Sequence, residues 1–265
     1  MTLKELEEKL ALGGIPDPKT DARLLLMRFF GVSPAMLYAE RDKSYESDAL
    51  EAAVQRRLRR EPLQHILGEV CFYGERYFVS RDCLSPRGDT ELLVEDACRT
   101  LPEGVVFADF CTGSGCIALS VLAHRPDLTA VAVDISEGAL ALAKKNAEAL
   151  GLSSRIRFFK SDLLRDELPF HTPDFILSNP PYIQTDVIDT LAPELAYEPK
   201  IALDGGHDGL VFYRTMLDRL SPVRFYFEIG YDQREAVLAL GEAKGYTARC
   251  ARDAGGHDRL VVFEK

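Results

Sequence analysis

The sequence lacks the long apolar segments, targeting signals and repeats by which several classes of protein are recognised. No apolar run approaches the roughly 18 residues that a membrane-spanning helix requires. The opening segment MTLKELEEKL has neither the cationic start of a secretory signal nor the arginine-rich, acid-poor composition of a transit sequence. No internal repeat or low-complexity segment is present. We therefore expect a globular protein of the cytoplasm with no membrane partner.

The chain also lacks the cysteine spacing of a metal centre or a disulfide framework. Its 6 cysteines include no Cys-x-x-Cys pair, and no histidine-rich segment accompanies them. We therefore expect no metal site, and reduced thiols that lie mostly in the core. The cysteines are Cys71, Cys83, Cys98, Cys111, Cys116 and Cys250.

The sequence also has fewer basic than acidic residues. The 32 basic residues are outnumbered by 42 acidic ones, which gives a formal net charge of −10. Affinity for nucleic acid rests largely on phosphate neutralisation by lysine and arginine. This balance disfavours direct binding of nucleic acid and favours a protein or small-molecule substrate.

The patterns along the chain divide it into parts of different structure. Residues 3–60 carry only helical signals, such as the spacing of Leu3, Leu6 and Leu10. Residues 72–79 are aromatic and β-branched around a glycine, which predicts a hairpin. We therefore predict an N-terminal helical domain over residues 1–70, a hairpin linker over 71–86 and a third part over 87–265.

In this third part, strands alternate with helices. Such alternation predicts a parallel sheet covered by helices on both faces. The final two strands follow each other without a helix, which predicts an antiparallel hairpin at the edge. The predicted strands are Val105–Phe110, Thr129–Asp134, Arg155–Lys160, Asp174–Ser178, Arg224–Ile229, Tyr246–Ala251 and Arg259–Glu264. The predicted helices cover residues 116–124, 136–150, 208–220 and 232–244.

A glycine-containing loop, Cys111-Thr112-Gly113-Ser114-Gly115, follows the first of these strands. Glycines let the backbone approach a ligand closely, and the next helix presents free N–H groups. The alternative interpretation is a turn that needs glycine for its geometry alone.

Two acidic residues end the next two strands. Asp134 can accept hydrogen bonds from both ribose hydroxyls of a nucleoside, or it can cap the helix that starts at Ser136. Asp162 can accept from an adenine amino group, with Leu163 against the ring. These positions predict an adenosine site at the carboxyl edge of the sheet, and they leave open whether the ligand is NAD or S-adenosylmethionine.

The loop Asn179-Pro180-Pro181-Tyr182 follows the fourth strand. A nitrogen whose lone pair is delocalised needs acceptors for its protons before it can attack a methyl group. The side-chain oxygen of Asn179 and the carbonyl of Pro180 are suitable acceptors, and the Tyr182 ring can pack on the planar group. A nicotinamide-dependent oxidoreductase has no use for such a loop, so the loop favours S-adenosylmethionine. The plain alternative is a proline stop after a buried strand.

These residues resemble the HemK/PrmC-like protein-(glutamine-N5) methyltransferases, which modify the glutamine of the Gly-Gly-Gln loop in class 1 peptide chain release factors. The resemblance covers most of the chain and depends on P-R-x-D-T-E at residues 86–91 and P-L-Q-x-I-L-G at residues 62–68. It implies an α/β fold, a class I S-adenosylmethionine-dependent methyltransferase domain with a Rossmann-like, seven-stranded, mostly parallel sheet. It also implies a small N-terminal helical domain that helps to recognise the release factor.

The resemblance further implies the residues of the site and its ligands. Cofactor contacts fall on Cys111, Thr112, Gly113, Ser114, Gly115, Asp134, Asp162, Leu163 and Asn179. The substrate glutamine falls on Asn179, Pro180, Pro181 and Tyr182, which are also the catalytic residues. The family usually has glycine where Cys111 stands, so a side chain is added near the methionine part of the cofactor. The product of the cofactor is S-adenosylhomocysteine.

Three further features of the sequence can be interpreted. We expect Arg87 to shape the entrance of the active site, or to form an interdomain salt bridge. Thr90 and Glu91 open a helix, where capping and stabilisation of the helix dipole are the leading explanation. The basic cluster of residues 56–60 (Arg56, Arg57, Arg59 and Arg60) contacts an acidic face of the protein substrate, or is a solvated helix face.

The sequence therefore predicts a monomeric methyltransferase whose protein substrate is a class 1 release factor. Three other functions stay open at this point. They are glutamine methylation of a ribosomal protein, adenine-N6 methylation of nucleic acid, and nicotinamide-dependent oxidoreduction.

Overall fold

The computed structural model describes residues 1–265, and its contacts divide the chain into two units. The first, here called the helical unit, consists of residues 1–69 together with 192–197. The second, here called the sheet unit, consists of residues 70–191 and 198–265. The return of residues 192–197 to the helical unit has no counterpart in the sequence prediction. None of the helices combines the length and the apolar character that crossing a membrane requires.

The helical unit is built from short amphipathic helices with polar caps. Thr2 forms a capping box with Glu5, and Asp17 and Ser47 accept hydrogen bonds from the first turns of later helices. Leucines at helical spacing, such as Leu6 and Leu10, are fully buried in its core. The helices are α1 Leu3–Leu12, α2 Pro18–Phe30, α3 Pro34–Ala39, α4 Asp48–Leu58 and α5 Leu63–Leu67.

The basic cluster at the end of α4 is engaged within the helical unit. Arg57 is buried and forms ion pairs with Asp21 at 2.6 Å and with Glu194 at 3.1 Å. Arg60 also pairs with Glu194, at 2.8 Å. Both interpretations of the cluster are therefore wrong for Arg57, which is buried, and the guanidinium groups of Arg57 and Arg60 both hold the 192–197 segment. Only Arg59 has an exposed position.

We expect Arg57→Ala to lower the free energy of unfolding by about 3 kcal/mol, because it leaves a buried carboxylate without its charged partner. That carboxylate is Asp21, whose pKa burial raises and the Arg57 guanidinium lowers. Denaturant unfolding at neutral pH measures the change. Arg59→Ala is the matched control, with an expected change within about 0.5 kcal/mol. Equal losses for the two variants would contradict a structural role that is specific to Arg57.

The sheet unit contains a hairpin and a seven-stranded sheet. The hairpin strands are β1 Glu69–Phe72, whose first residue is the last of the helical unit's residues 1–69, and β2 Glu75–Phe78, so the hairpin begins two residues before the predicted linker. The sheet strands are β3 Val106–Phe110, β4 Thr129–Asp134, β5 Ile156–Lys160, β6 Phe175–Ser178, β7 Arg224–Glu228, β8 Thr247–Arg252 and β9 Asp258–Glu264. The helices are α6 Glu91–Thr100, α7 Cys116–His124, α8 Glu137–Ala149, α9 Val211–Arg219 and α10 Arg234–Glu242. Short 3₁₀ helices cover Gly88–Thr90, Ser153–Arg155, Thr185–Thr190, Pro193–Tyr197 and Lys200–Ala202, of which Pro193–Tyr197 belongs to the helical unit.

The strand order is β5-β4-β3-β6-β7-β9-β8. Neighbouring strands from β5 to β7 pair in parallel, whereas the β7–β9 and β9–β8 pairs are antiparallel. Successive side chains of a strand point to opposite faces. Phe107 accordingly packs into one core cluster and Ala108 into the other. The predicted mostly parallel sheet with an antiparallel hairpin at one edge is confirmed.

The order of the strands fixes where a ligand can bind. The chain runs from β3 outward to β4 and β5, and then returns to β6 on the other side of β3. Phe110 and Ser178, the last residues of β3 and β6, are partners in the sheet, and the Ser178 hydroxyl donates to the Phe110 carbonyl at 2.7 Å. The loops after these strands therefore start side by side at the switch point, where open α/β sheets bind ligands.

The cysteines are all free thiols. Only Cys83 and Cys116 are buried, whereas Cys71 is exposed and the other three are partly buried. Fewer of them lie inside the core than the composition led us to expect.

Candidate active site

The glycine loop turns sharply between β3 and α7. Gly113 and Gly115 have φ of 56° and 81°, a backbone region that glycine adopts without strain. A side chain on Gly115 would also come within 3.0 Å of the Leu119 side chain and 3.2 Å of the Ala143 Cβ, which is a tight contact. The loop is held from the side, because the N–H of Thr112 donates to the Val133 carbonyl at 3.0 Å. Geometry therefore accounts for both glycines, and the same geometry exposes the loop to a ligand.

Cys111 opens this loop in a left-handed conformation, with φ of 59°. A residue with a side chain is strained in this region, which gives a physical reason for the glycine that the resembling family usually has here. The thiol lines a cavity, and burial raises its pKa well above the ordinary value. Cys111 is therefore a neutral, strained member of the site.

We expect Cys111→Gly to be more stable than Cys111→Ala by about 1 kcal/mol. Both variants lack the thiol, and only glycine adopts the positive φ without strain. Denaturant unfolding of the two variants side by side measures the difference. A more stable alanine variant would show that backbone strain at this position is negligible.

Asp134 is at the end of β4 and faces the glycine loop. One carboxylate oxygen accepts from the N–H of Gly113 and the other from the N–H of Ser136, each at 2.9 Å. Each oxygen keeps a further lone pair for a ligand hydroxyl. The cap of α8 is Ser136, whose hydroxyl accepts from the N–H of Ala139 at 3.1 Å, so the interpretation of Asp134 as the cap is wrong. Burial raises the pKa of Asp134, and the two backbone N–H groups oppose that effect.

A second carboxylate, Asp109, supports the loop from inside the protein, and the sequence prediction missed it as a site residue. It accepts from the Thr112 hydroxyl at 2.6 Å and from the N–H of Ala118 at 3.2 Å. Burial raises the pKa of Asp109 to about 7. Its position in an otherwise apolar strand, just before the glycines, is the signal that could have identified it.

The cavity lies at the carboxyl ends of β3, β4, β5 and β6 and has a volume of about 660 Å³. This is the size range of small-molecule and cofactor sites. Of the predicted site residues, its wall contains Arg87, Cys111, Thr112, Gly113, Ser114, Asp134, Asp162, Leu163, Asn179 and Pro181. Gly115, Pro180 and Tyr182 lie outside the wall. Apolar residues that the prediction did not name complete it, among them Ile117, Ile135, Ile201 and Phe212.

Asp162 and Leu163 form the part of the wall after β5. The Asp162 carboxylate accepts from the N–H of Leu164 at 3.0 Å. Leu163 is buried, with 9% of its surface exposed, and presents an apolar surface beside that carboxylate. An acceptor therefore lies beside an apolar wall in this part of the cavity, and the binding of an adenine here stays a prediction.

The Asn179–Tyr182 loop is fixed by contacts from several segments. The side-chain nitrogen Nδ2 of Asn179 donates to the Thr90 hydroxyl at 3.2 Å. The Tyr182 hydroxyl donates to Glu228 at 3.3 Å, and its carbonyl accepts from the Gln233 side chain at 2.9 Å. The prediction included none of these partners.

Two glycines also hold this loop, and they lie just before α9. A side chain on Gly205 would come within 2.6 Å of the Tyr182 Cα, and one on Gly209 within 2.4 Å of the Tyr182 carbonyl oxygen. The backbone of the loop is therefore in direct contact with the backbone of the segment from Asp204 to Gly209. That glycine-rich run is the sequence signal that could have revealed the contact.

The residues that open α6 do not cap it. Thr90 occupies the cap position but makes no capping hydrogen bond with its side chain, which instead accepts from Asn179. Glu91 accepts from the N–H of Tyr73 at 2.7 Å. The capping interpretation is therefore wrong for Thr90, whose hydroxyl contacts Asn179 instead.

Arg87 lies in the cavity wall and forms an ion pair with Glu198 at 2.9 Å. The Glu198 side chain is fully buried, and burial raises its pKa against the opposing effect of Arg87. Both residues belong to the sheet unit, so the interpretation of an interdomain salt bridge is wrong. The position of Arg87 agrees with a role in shaping the cavity.

Comparison with known proteins finds relatives along nearly the whole chain. Residues 2–68 match the PrmC N-terminal domain, and residues 88–215 match the methyltransferase small domain. The release factor glutamine methyltransferase of Caulobacter vibrioides is 40% identical and is matched over 98% of this chain and 93% of its own length. The release factor glutamine methyltransferase of Cereibacter sphaeroides is 41% identical and is matched over 98% of this chain and 95% of its own length.

Among solved structures, the hMettl16 catalytic domain in complex with a 3′UTR hairpin superimposes with a TM-score of 0.56. It is 15% identical, and the match covers 82% of each chain. This likeness concerns the fold alone and confirms the class I methyltransferase architecture. The identity with the two bacterial relatives over almost their full length shows more, namely that the chain belongs to the release factor glutamine methyltransferase family.

Proposed function

We propose that this protein transfers a methyl group from S-adenosylmethionine to the side-chain amide nitrogen of the glutamine in the Gly-Gly-Gln motif of class 1 peptide chain release factors. The observation that carries the proposal is the orientation of Asn179 in the cavity wall. Its Nδ2 is held by Thr90, which leaves Oδ1 as the acceptor for a substrate N–H. The names of the two bacterial relatives support the same substrate.

The cavity fits S-adenosylmethionine, which when bound supplies an electrophilic methyl group. The left-handed glycines of the loop let the backbone approach the amino acid part, and Asp134 has free lone pairs for the ribose hydroxyls. Asp162 and Leu163 offer the acceptor and the apolar wall that an adenine needs. Cys111 is neutral, so it places no negative charge beside the ligand.

The substrate amide needs positioning more than proton abstraction. Its nitrogen is a poor nucleophile because the lone pair is delocalised into the carbonyl group. In the proposed complex, Asn179 Oδ1 and the Pro180 carbonyl accept the two amide protons and aim the nitrogen at the methyl group, while Pro181 and the Tyr182 ring pack against the amide plane. The proton leaves to water after transfer. The same proposal places the enzyme in the cytoplasm with its substrate, as a monomer.

Transfer of labelled methyl to purified, unmethylated release factor tests this function. The matched control is the same factor with Gln→Ala in its Gly-Gly-Gln motif. We expect label on the unmodified factor only. Label on both proteins would contradict glutamine as the acceptor. If neither protein is labelled but S-adenosylhomocysteine still raises the melting temperature, the cofactor assignment stands and the release factor is not the substrate. Ribosomal proteins are then the next substrates to test.

A further inference from the structure

We infer that Glu228 and Thr90 are positioning residues that set the orientation of the Asn179 side-chain amide and the place of Tyr182. The inference rests on the proposed function, because it assigns to these two residues the task of presenting the Asn179 oxygen to the substrate amide. Neither residue is part of the predicted site.

Glu228 is a buried carboxyl group directly behind the Asn179–Tyr182 loop. It ends β7, the strand paired with β6, and 3% of its surface is exposed. Its Oε1 accepts from the Tyr182 hydroxyl at 3.3 Å, whereas its Oε2 is buried without a hydrogen-bond partner. The Thr90 hydroxyl lies beside this carboxyl group and favours its charged form.

A hydroxyl group has one proton to donate and lone pairs to accept. A buried carboxylate oxygen with no other hydrogen-bond donor is a strong acceptor, so Glu228 attracts the proton of the Thr90 hydroxyl, the group that favours its charged form. Only the lone pairs of that hydroxyl then remain for Asn179. The neighbouring amide must therefore present Nδ2 to Thr90, as it does at 3.2 Å, and Oδ1 is the end left for the cavity.

The charges around Glu228 place its titration close to neutral pH. Burial raises its pKa to about 7, the Arg259 guanidinium and the Thr90 and Tyr182 hydroxyls oppose this, and Asp89 adds to it. The other titratable groups that feel this carboxyl, Tyr213 and Cys116, are neutral because their own pKa values are raised by burial. When Glu228 is protonated, it donates a hydrogen bond to the Thr90 hydroxyl. The Thr90 hydroxyl can then rotate and donate its own proton to Asn179. The amide then loses its preference for presenting Oδ1 to the cavity.

The matched variants are Thr90→Val, which keeps the shape without the hydroxyl, and Thr90→Ser, which keeps the hydroxyl. We expect Thr90→Val to lower kcat for methyl transfer by about 10- to 100-fold, a loss typical of misplaced reacting groups. We expect Thr90→Ser to stay within about threefold of the wild type, and the KM for S-adenosylmethionine to change by less than about twofold in both.

The Glu228→Gln variant adds a second measurement, the dependence of kcat on pH, which a purely structural role of Glu228 would not change. Wild-type kcat should rise with pH between about 6 and 8, as the carboxyl loses its proton, and this rise should be absent in Glu228→Gln. Asp109 also has a pKa of about 7, so Asp109→Asn assigns the rise: kcat should still increase between about pH 6 and 8 in this variant, whatever its absolute value, because Asp109 supports the glycine loop and does not contact Thr90 or Tyr182. Glu228→Gln should not be less stable than the wild type at pH 8, because an acid whose pKa is raised by folding destabilises the folded state above its unfolded pKa.

The methyl-transfer assay distinguishes failure of the positioning role from failure of the proposed function. Equal kcat for Thr90→Val and Thr90→Ser, or a pH rise that survives in Glu228→Gln, would overturn the positioning role while leaving the proposed function intact. An inactive wild type on a release factor with an intact Gly-Gly-Gln motif would overturn both.

Discussion

Asn179→Ala is expected to lower kcat for methyl transfer by about 100- to 1,000-fold, the loss found when one preorganised polar group is removed from an active site. The alanine leaves a substrate N–H without its acceptor, and the nitrogen is no longer aimed at the methyl group. Affinity for S-adenosylhomocysteine should fall by less than about tenfold, since at most one neutral hydrogen bond to the cofactor is lost. Single-turnover transfer and a binding titration measure the two quantities.

Asn179→Asp is the informative control for this prediction. It keeps an acceptor oxygen at nearly the same place but has no Nδ2 to donate to the Thr90 hydroxyl. We expect its kcat to lie between those of the wild type and Asn179→Ala. An alanine variant within tenfold of wild-type kcat would contradict the assignment of Asn179 as the acceptor.

Asp134→Asn is expected to weaken S-adenosylmethionine binding by about 10- to 100-fold, because hydrogen bonds to a charged acceptor are replaced by weaker neutral ones. An amide also has only one oxygen, so it cannot accept from both Gly113 and Ser136, as the carboxylate does at 2.9 Å each. The loss should appear in the KM for the cofactor, with kcat at saturation nearly unchanged. Isothermal titration with S-adenosylhomocysteine gives the affinity directly.

Glu137→Gln removes the same charge three positions along the chain and provides the control. Glu137 is exposed and pairs with Lys160, outside the cavity wall. Its substitution should change cofactor affinity by less than about twofold, as is usual for surface charges. Equal losses in the two variants would mean that general charge, and not a specific contact of Asp134, governs cofactor binding.

Local patterns predicted the sheet well because they act over a few residues. Helix α7 and strand β4 have the predicted bounds, Cys116–His124 and Thr129–Asp134, since a buried strand or helix shows its apolar residues directly in the sequence. Helix α9 begins at Val211 and not at 208. The residues before it, including Gly205 and Gly209, are engaged with the backbone of Tyr182 instead.

Interactions between distant parts of the chain could not be predicted in this way. Thr90 looks like a helix cap, but its hydrogen-bond partner Asn179 is 89 residues away. Arg57 looks like part of a surface cluster, but its partner Glu194 is 137 residues away. In each case the local pattern drew attention to the residue but predicted the wrong role for it, because the partner is distant in the sequence. The ligand-facing positions were easier to predict, because the carboxyl ends of parallel strands meet at one edge whatever the long-range contacts are.

The division of the helical unit between residues 1–69 and 192–197 has a consequence for biosynthesis. Asp21 and Arg57 leave the ribosome early and can pair at once, whereas Glu194 arrives only after most of the sheet has been translated. Domains generally fold as units from the N-terminus during synthesis. The helical unit therefore begins to emerge first but is completed only when residue 197 has been translated, so Arg57 and Arg60 lack their partner Glu194 while about half of the chain is synthesised.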